Sequence, residues 1–423
     1  MNLDQHNTKA AGQCPFTGGK SDFRPFDQNY WTDPYPIWEK IRSNDPVFYN
    51  SEINYWVISQ FEDIKGILSD PQSYSAEVIR EPIQSLSKEA LKVLKDGGFD
   101  PYTIAGNDPP GHTKIRKAIN YAFTPKRVNE IESGIRTLVN EYIDRFEHKR
   151  EVDLVEEMFY QLPADVLFIF LGFPMEHVRR IKELAIHRLS LQFGKLPEDE
   201  QEIEAHGLVE FWHFCKDMVR EVADADTPPD NFMGDLIRYR NGDENKLSLH
   251  EIASIVYSLM FAGHETTTGL AGNAIQTLLT HRNVWEEICE KPELIPNAVE
   301  EVLRYNTSVF YWRRRTKKAV TIGGVEIPEG ANVLLVLGAA GRDGGKYKDP
   351  EKFDIHRENV KDHLAFGHGI HYCVGAPLAR LDMRIILEDI CKRLPNLELV
   401  KRDIAPITQN LFARSPKALW VKW

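Results

Sequence analysis

The segment from Ser248 to Thr280 constrains this chain more than any other. Ser248-Leu249-His250-Glu251 reads as a capping box, with Ser as N-cap and Glu three residues on. No proline interrupts the run from there to Thr280, so the pattern predicts one helix of about 45–50 Å at 1.5 Å per residue. A helix that long crosses a whole domain, and the rest of the chain must pack around it. Its middle, Ala262-Gly263-His264-Glu265-Thr266-Thr267-Thr268, is a poor local choice for a helix. Gly costs about 1 kcal/mol there, and successive threonines lose rotamer freedom. Such a lapse marks strain or function; the plainer reading is a polar face that happens to hold Thr.

Further helical periodicity falls at 36–41, 88–95, 112–123, 127–147, 164–171, 177–191, 202–222, 296–305 and 376–394. Strand signals are short, at 47–49, 55–58, 319–322, 325–327 and 332–337, and Gly323-Gly324 reads as a hairpin turn. The expected fold class is mainly α with small β-sheets. Residues 1–25 lack periodicity and read as a loosely held tail. From 26 to 423 no linker and no repeat appears, so a single domain is expected.

Apolar residues at 42% supply a large core, which excludes disorder for most of the length. The net charge of −11 disfavours nucleic acid and anionic lipid as partners. The longest uncharged apolar stretch, 252–263, is well short of the ~20 residues a membrane span needs. The start carries no secretory pattern, and the five cysteines have no close spacing, which suits a reducing cytoplasm.

The stretch that carries chemistry is Phe366-Gly367-His368-Gly369-Ile370-His371-Tyr372-Cys373-Val374-Gly375. Three glycines in ten residues specify a tight loop, and Cys373 falls just before a helix N-terminus. Unpaired N–H groups and the positive dipole end there favour a thiolate. Three readings compete: a buried structural cysteine, zinc held by His363, His368, His371 and Cys373, or a thiolate on haem iron. The spacing does not match a structural zinc site. His264-Glu265-Thr266-Thr267-Thr268 lacks the second His of a zinc protease motif.

Phe366-Gly367-x-Gly369-x-His371-x-Cys373-x-Gly375 resembles the haem-binding loop of the cytochrome P-450 superfamily. Two further motifs agree: Glu301-x-x-Arg304 and Ala262-Gly263-x-Glu265-Thr266, in the family's order and about 70 and 35 residues apart. The resemblance runs from about Phe26 to the C-terminus. It implies the cytochrome P-450 fold, with the long helix over a buried haem b (iron protoporphyrin IX). By the same resemblance Cys373 is the iron ligand and Phe366 packs near the haem. His112, Arg116, Arg314 and His371 hold the propionates, and Glu301 and Arg304 form a buried structural network. In the run 313–318, Arg314 is expected buried and the rest mostly exposed. Glu265 and Thr266 are the expected catalytic pair, with Thr holding dioxygen and the acid relaying protons.

The implied activity is a haem-thiolate monooxygenase that hydroxylates, or O-demethylates, a small organic substrate. The chain is similar to the haem domain of reductase-fused bacterial members, yet no reductase follows in this sequence. Electrons are therefore expected from a separate ferredoxin-type iron–sulfur protein and its reductase, docking by Arg380 and Arg384. A peroxide-driven peroxygenase and a non-catalytic haem sensor are the alternatives. After Arg304-Tyr305, where many relatives carry proline, this chain has Asn306-Thr307-Ser308-Val309-Phe310-Tyr311-Trp312. Those aromatic rings either meet substrate or simply pack in the core, the second being the plainer reading.

Overall fold

The structure is a computed structural model that describes residues 23–400 and 410–423. The helix Leu249–Thr280 runs unbroken through its middle, and the capping box forms: Glu251 N donates to Ser248 Oγ at 3.0 Å, and Ser248 N to Glu251 Oε2 at 2.8 Å. Most of its residues are buried, because helices Leu162–Leu171, Glu198–Asp224, Ile295–Tyr305 and Ala376–Arg393 pack on different sides of it. A helix covered all round reads apolar all round, and this one does so outside its central threonines.

The expected helix at 127–147 is two, Pro125–Glu130 and Glu132–Phe146, meeting at Ile131. Thr124 Oγ accepts from Arg127 N at 3.2 Å and Pro125 takes the first turn, which starts the first piece earlier than periodicity suggests. Helices Phe61–Ser69, Phe232–Arg240 and Arg282–Glu290 carry no long apolar period and were not expected from the sequence.

Five strands form one sheet in the order Val47–Asn50, Tyr55–Ile58, Asn332–Val336, Tyr311–Thr316, Tyr74–Ser75. Tyr55–Ile58 pairs in parallel with Asn332–Val336, Trp56 opposite Val333, so the sheet ties the two halves of the chain together. Strand Tyr311–Thr316 reads in sequence as a charged run; antiparallel neighbours on both sides make it a strand. Gly323 and Gly324, both at positive φ, turn the hairpin Val320–Ile322 to Val325–Ile327 as expected.

The expected tail at 1–25 lies mostly outside the described residues, but its last part is packed. Phe23 is buried among Tyr30, Trp38, Phe48 and Tyr311, and the Trp31 indole donates to the Pro25 carbonyl. The packed region therefore begins by residue 23, because Phe23 completes an aromatic cluster that the sheet alone leaves open. Among the described residues no helix is long and apolar enough to cross a membrane.

Candidate active site

Cys373 lies between the turn Gly369–His371 and the helix Ala376–Arg393. Gly369 sits at φ +69°, and a Cβ there would come within 2.5 Å of the Leu68 carbonyl oxygen, so only glycine lets the loop lie against helix Phe61–Ser69. Cys373 N donates to the Phe366 carbonyl at 2.9 Å, closing the loop. The sulfur opens on a cavity of about 250 Å³, lined as well by Phe366, His371, His112, Arg116, Arg314 and Thr266. Burial raises the thiol pKa; N–H groups of Gly375 and Ala376, with Arg116 and Arg380, oppose that rise without cancelling it. The N–H groups at the helix N-terminus therefore favour the thiolate without fixing it. A bound metal ion would have to complete the deprotonation.

His112 and Arg116 come from helix Gly111–Ala122, Arg314 from strand Tyr311–Thr316 and His371 from the loop. The His112 and His371 rings lie 4.3 Å apart. Burial lowers the His371 pKa to about 3, helped by Arg314 and His112, and lowers Arg314 to about 10. His112 Nε2 and Arg314 Nη2 are buried with no hydrogen-bond partner. Orphaned donors in the cavity that also holds the sulfur would suit a flat macrocycle carrying a metal ion and two carboxylates. Haem b answers that description. Arg116 is placed differently: its Nη1 donates to the Tyr372 carbonyl at 2.7 Å and anchors the loop.

The two residues expected to act as a pair face different ways. Thr266 lines the cavity, its hydroxyl donating to the Ala262 carbonyl at 2.8 Å, which leaves its lone pairs free. Glu265 does not line the cavity. Its Oε1 lies 3.1 Å from His264 Nε2, and His264 Nδ1 is 2.6 Å from the Met260 carbonyl. Nδ1 must donate to that carbonyl, and Nε2 has no well-formed hydrogen bond of its own, only this close approach to the carboxylate. Burial raises the Glu265 pKa, but His264 and then Lys182 bring it below the usual carboxylate range. Lys182 Nζ is buried without a hydrogen bond, 3.5 Å from the centre of the Tyr160 ring, and burial lowers its pKa to about 8.

Glu301 and Arg304 form the expected buried network. Arg304 donates twice to the Glu301 carboxylate at 2.7 Å, and to the carbonyls of Gly341, Pro350 and Lys352. The basic run departs from expectation. Arg313 is buried beside Arg314, donating to the Glu81 carbonyl at 2.9 Å, while Arg315 pairs with the Glu81 carboxylate and Lys317 with Asp108. Both faces of this strand are covered, so adjacent arginines are buried on opposite sides. The aromatic triplet is divided as well: Phe310 and Tyr311 pack in the core, while Trp312, two residues before Arg314 on the strand, lines the cavity with it.

Arg380 and Arg384 are not free charges. Arg380 donates twice to Glu300, at 2.5 and 2.9 Å, and Arg384 binds Glu132 and Glu388. The expected docking pair is thereby neutralised within the chain. His363 is tied at both ring nitrogens, to Glu300 at 2.9 Å and to Ala365 N at 3.2 Å, so it has no nitrogen left for zinc. Sequence reasoning missed His264 as the partner of Glu265, and missed Lys182 and Arg188 altogether. The latter two read as the polar face of helix Val178–Phe193, and nothing local marks them as buried.

Comparison with known proteins agrees with this geometry. The family described as "Cytochrome P450" matches residues 58–423. Cytochrome P450 107B1 of Saccharopolyspora erythraea is 34% identical over 390 residues, covering 90% of this chain and 93% of its own. The structure of cytochrome P450 CREJ in complex with (4-ethylphenyl) dihydrogen phosphate is similar at TM-score 0.91 and 37% identity, over 96% of this chain and 100% of that one. Full-length CYP116B46 from Tepidiphilus thermophilus matches at TM-score 0.91 and 34% identity, over 95% of this chain and 53% of its own.

Proposed function

The chain belongs to the cytochrome P450 family of haem b monooxygenases, and on that premise we propose that it uses dioxygen to hydroxylate a small organic substrate. O-demethylation is the same step performed on a methyl ether carbon. The observation that carries the reading is that Cys373, the orphaned donors of His112 and Arg314, and the Thr266 hydroxyl all open on one cavity. Haem bound there supplies the oxygen-activating chemistry through a thiolate ligand.

Cys373 is the ligand in this proposal, its sulfur approached by the Gly375 and Ala376 N–H groups. His112, Arg314 and His371 would hold the two carboxylates, Arg116 fixes the loop, and Phe366 lines the same cavity, where it would pack against the haem. Thr266 accepts and passes protons at its hydroxyl. Glu265 is the acid behind it, reaching the cavity by rotation of its side chain away from His264. Electrons come from a separate ferredoxin-type protein and its reductase, and the exposed Ile370, three residues before Cys373, offers such a partner an apolar contact. A cytoplasmic location suits the unbridged cysteines Cys215, Cys289, Cys373 and Cys391.

Glu265 facing away from the cavity favours one second reading, a peroxygenase that needs no proton delivery. The test feeds the haem-loaded enzyme a panel of ethers, arenes and (4-ethylphenyl) dihydrogen phosphate, with either a reductant-driven ferredoxin system or peroxide alone. Product that requires dioxygen and reductant supports the monooxygenase. Equal turnover with peroxide alone transfers the assignment to the peroxygenase, and absence of product from every compound under both regimes overturns both.

A further inference from the structure

The cavity carries one cation that belongs to neither the loop nor the propionate-type cluster. Arg188, on helix Val178–Phe193, lines the cavity and is only 5% exposed. Its Nε donates to Gln192 Oε1 at 2.9 Å, while Nη1 is buried with no partner. Its guanidinium carbon stands 4.8 Å from the Tyr257 ring centre and 4.5 Å from that of Phe261. Among the described residues no carboxylate pairs with it, and its charged neighbour is a second cation, Arg313. Burial lowers its pKa accordingly. Burying an unpaired cation is costly, and two ring faces offset only part of that. His112 and His371 sit with Arg314, Arg116 and Asp108, whereas Arg188 stands over Tyr257 and Phe261 of the long helix. It is therefore a separate charge at a separate place.

The surroundings define what would meet it. Phe193 stacks on Phe412 at 4.7 Å and lies parallel to Phe261 at 6.0 Å, and Trp312 adds a fourth ring 5.9 Å from Phe412. All four line the cavity. Tyr257 and Phe261 precede Thr266 on one continuous helix, which puts Arg188's neighbours about 8–14 Å along the axis from the catalytic threonine. Resting on the monooxygenase reading, we propose that the substrate is an organic acid, a carboxylate or phosphate ester on an aromatic or otherwise apolar body. Arg188 binds the oxyanion, and the far end of the body, one such distance away, is presented at Thr266. The anchor determines both the substrate class and which carbon is oxidised: the one remote from the acid. Planar guanidinium geometry suits either oxyanion, since both accept two parallel N–H bonds.

The test uses the haem-loaded protein and four probes with one body: 4-butylbenzoate, 4-butylphenyl phosphate, neutral 4-butylbenzamide and cationic 4-butylbenzylamine. Binding is read by calorimetry and by the shift of the haem absorption band. Charge-assisted hydrogen bonds predict that an acid binds at least about tenfold tighter than the amide, with the amine weakest. The tighter acid identifies the oxyanion. Arg188→Gln should erase the preference and Arg188→Lys should recover part of it. Should the glutamine variant fail to hold haem, the acid-to-amide ratio of wild type against the lysine variant decides. Equal affinity for acids and amide, or a preference that survives Arg188→Gln, overturns the anchor. Hydroxylation of the amide with no acid preference would do so while leaving the monooxygenase standing. Preferential acid binding to a protein without a thiolate-haem spectrum would sink the monooxygenase and keep the anchor.

Discussion

Replacing Arg380 by Gln separates two roles for the helix that leaves the cysteine loop: a docking surface for an electron donor, or a brace for the loop itself. Arg380 clamps the Glu300 carboxylate with two hydrogen bonds and reaches the Tyr372 hydroxyl at 3.2 Å. Burial raises the Glu300 pKa, but hydrogen bonds from His363 and Arg380 more than offset that and lower it from 4.5 to about 2. At 1.36 kcal/mol per pH unit that drop is worth about 3.4 kcal/mol in all. Shared between His363 and a guanidinium that is 32% exposed, Arg380's part is about 2 kcal/mol, within the range for a charge-assisted hydrogen bond. A chain of 423 residues should lose about 2 °C in melting temperature. The sign with pH comes from the depressed carboxylate. Its stabilisation is complete above the unfolded value of 4.5 and fades as pH falls toward 2, so the deficit of Arg380→Gln should shrink in acid. The assay is thermal unfolding of the haem-loaded proteins at pH 7 and pH 4, beside stopped-flow reduction by a ferredoxin. An unchanged melting point with slowed reduction would refute the brace and restore the docking role.

Cys373→Ser, loaded with haem, should lose the red-shifted carbonyl band of a thiolate ligand on reduction; keeping that band would remove Cys373 from the iron. Thr266→Ala should bind haem and substrate normally yet make at least about tenfold less product per reductant, the balance emerging as peroxide, with Thr266→Ser recovering most of it. Arg314→Met should release haem to a scavenging apoglobin at least about tenfold faster, while the apoprotein loses only the Nη1 hydrogen bond to the Arg313 carbonyl, because Nη2 has no protein acceptor. Lys182 carries a folded pKa of about 8 against 10.5 unfolded, so the protonated lysine penalises the fold at neutral pH. Lys182→Met should raise unfolding stability at pH 7 by up to about 3 kcal/mol, and should abolish the gain wild type shows between pH 8 and 10.5. Loss of stability in that variant would contradict the burial argument.

The features legible in the amino-acid order are those local along the chain. The capping box at Ser248, the glycines that bend the Cys373 loop, the Gly323-Gly324 hairpin and the Glu301–Arg304 pair are each specified by neighbours within a few residues. All of them form in the structure as expected. Which charges are buried, and against what, was settled only by packing between distant segments. Arg313 and Arg314 look alike in a basic run, and only strands on both sides turn one to the Glu81 carbonyl and the other into the cavity. Glu265 and Thr266 are adjacent in sequence, but consecutive helical residues point about 100° apart, so one meets His264 and the other the cavity. Arg380 gained its carboxylate from a residue 80 positions away, and Arg188 has rings closed around it and no carboxylate among the described residues. The reason is common to all of these: backbone patterns depend on short-range sterics and hydrogen bonding, whereas the state of a charge depends on everything the fold brings within a few ångströms of it.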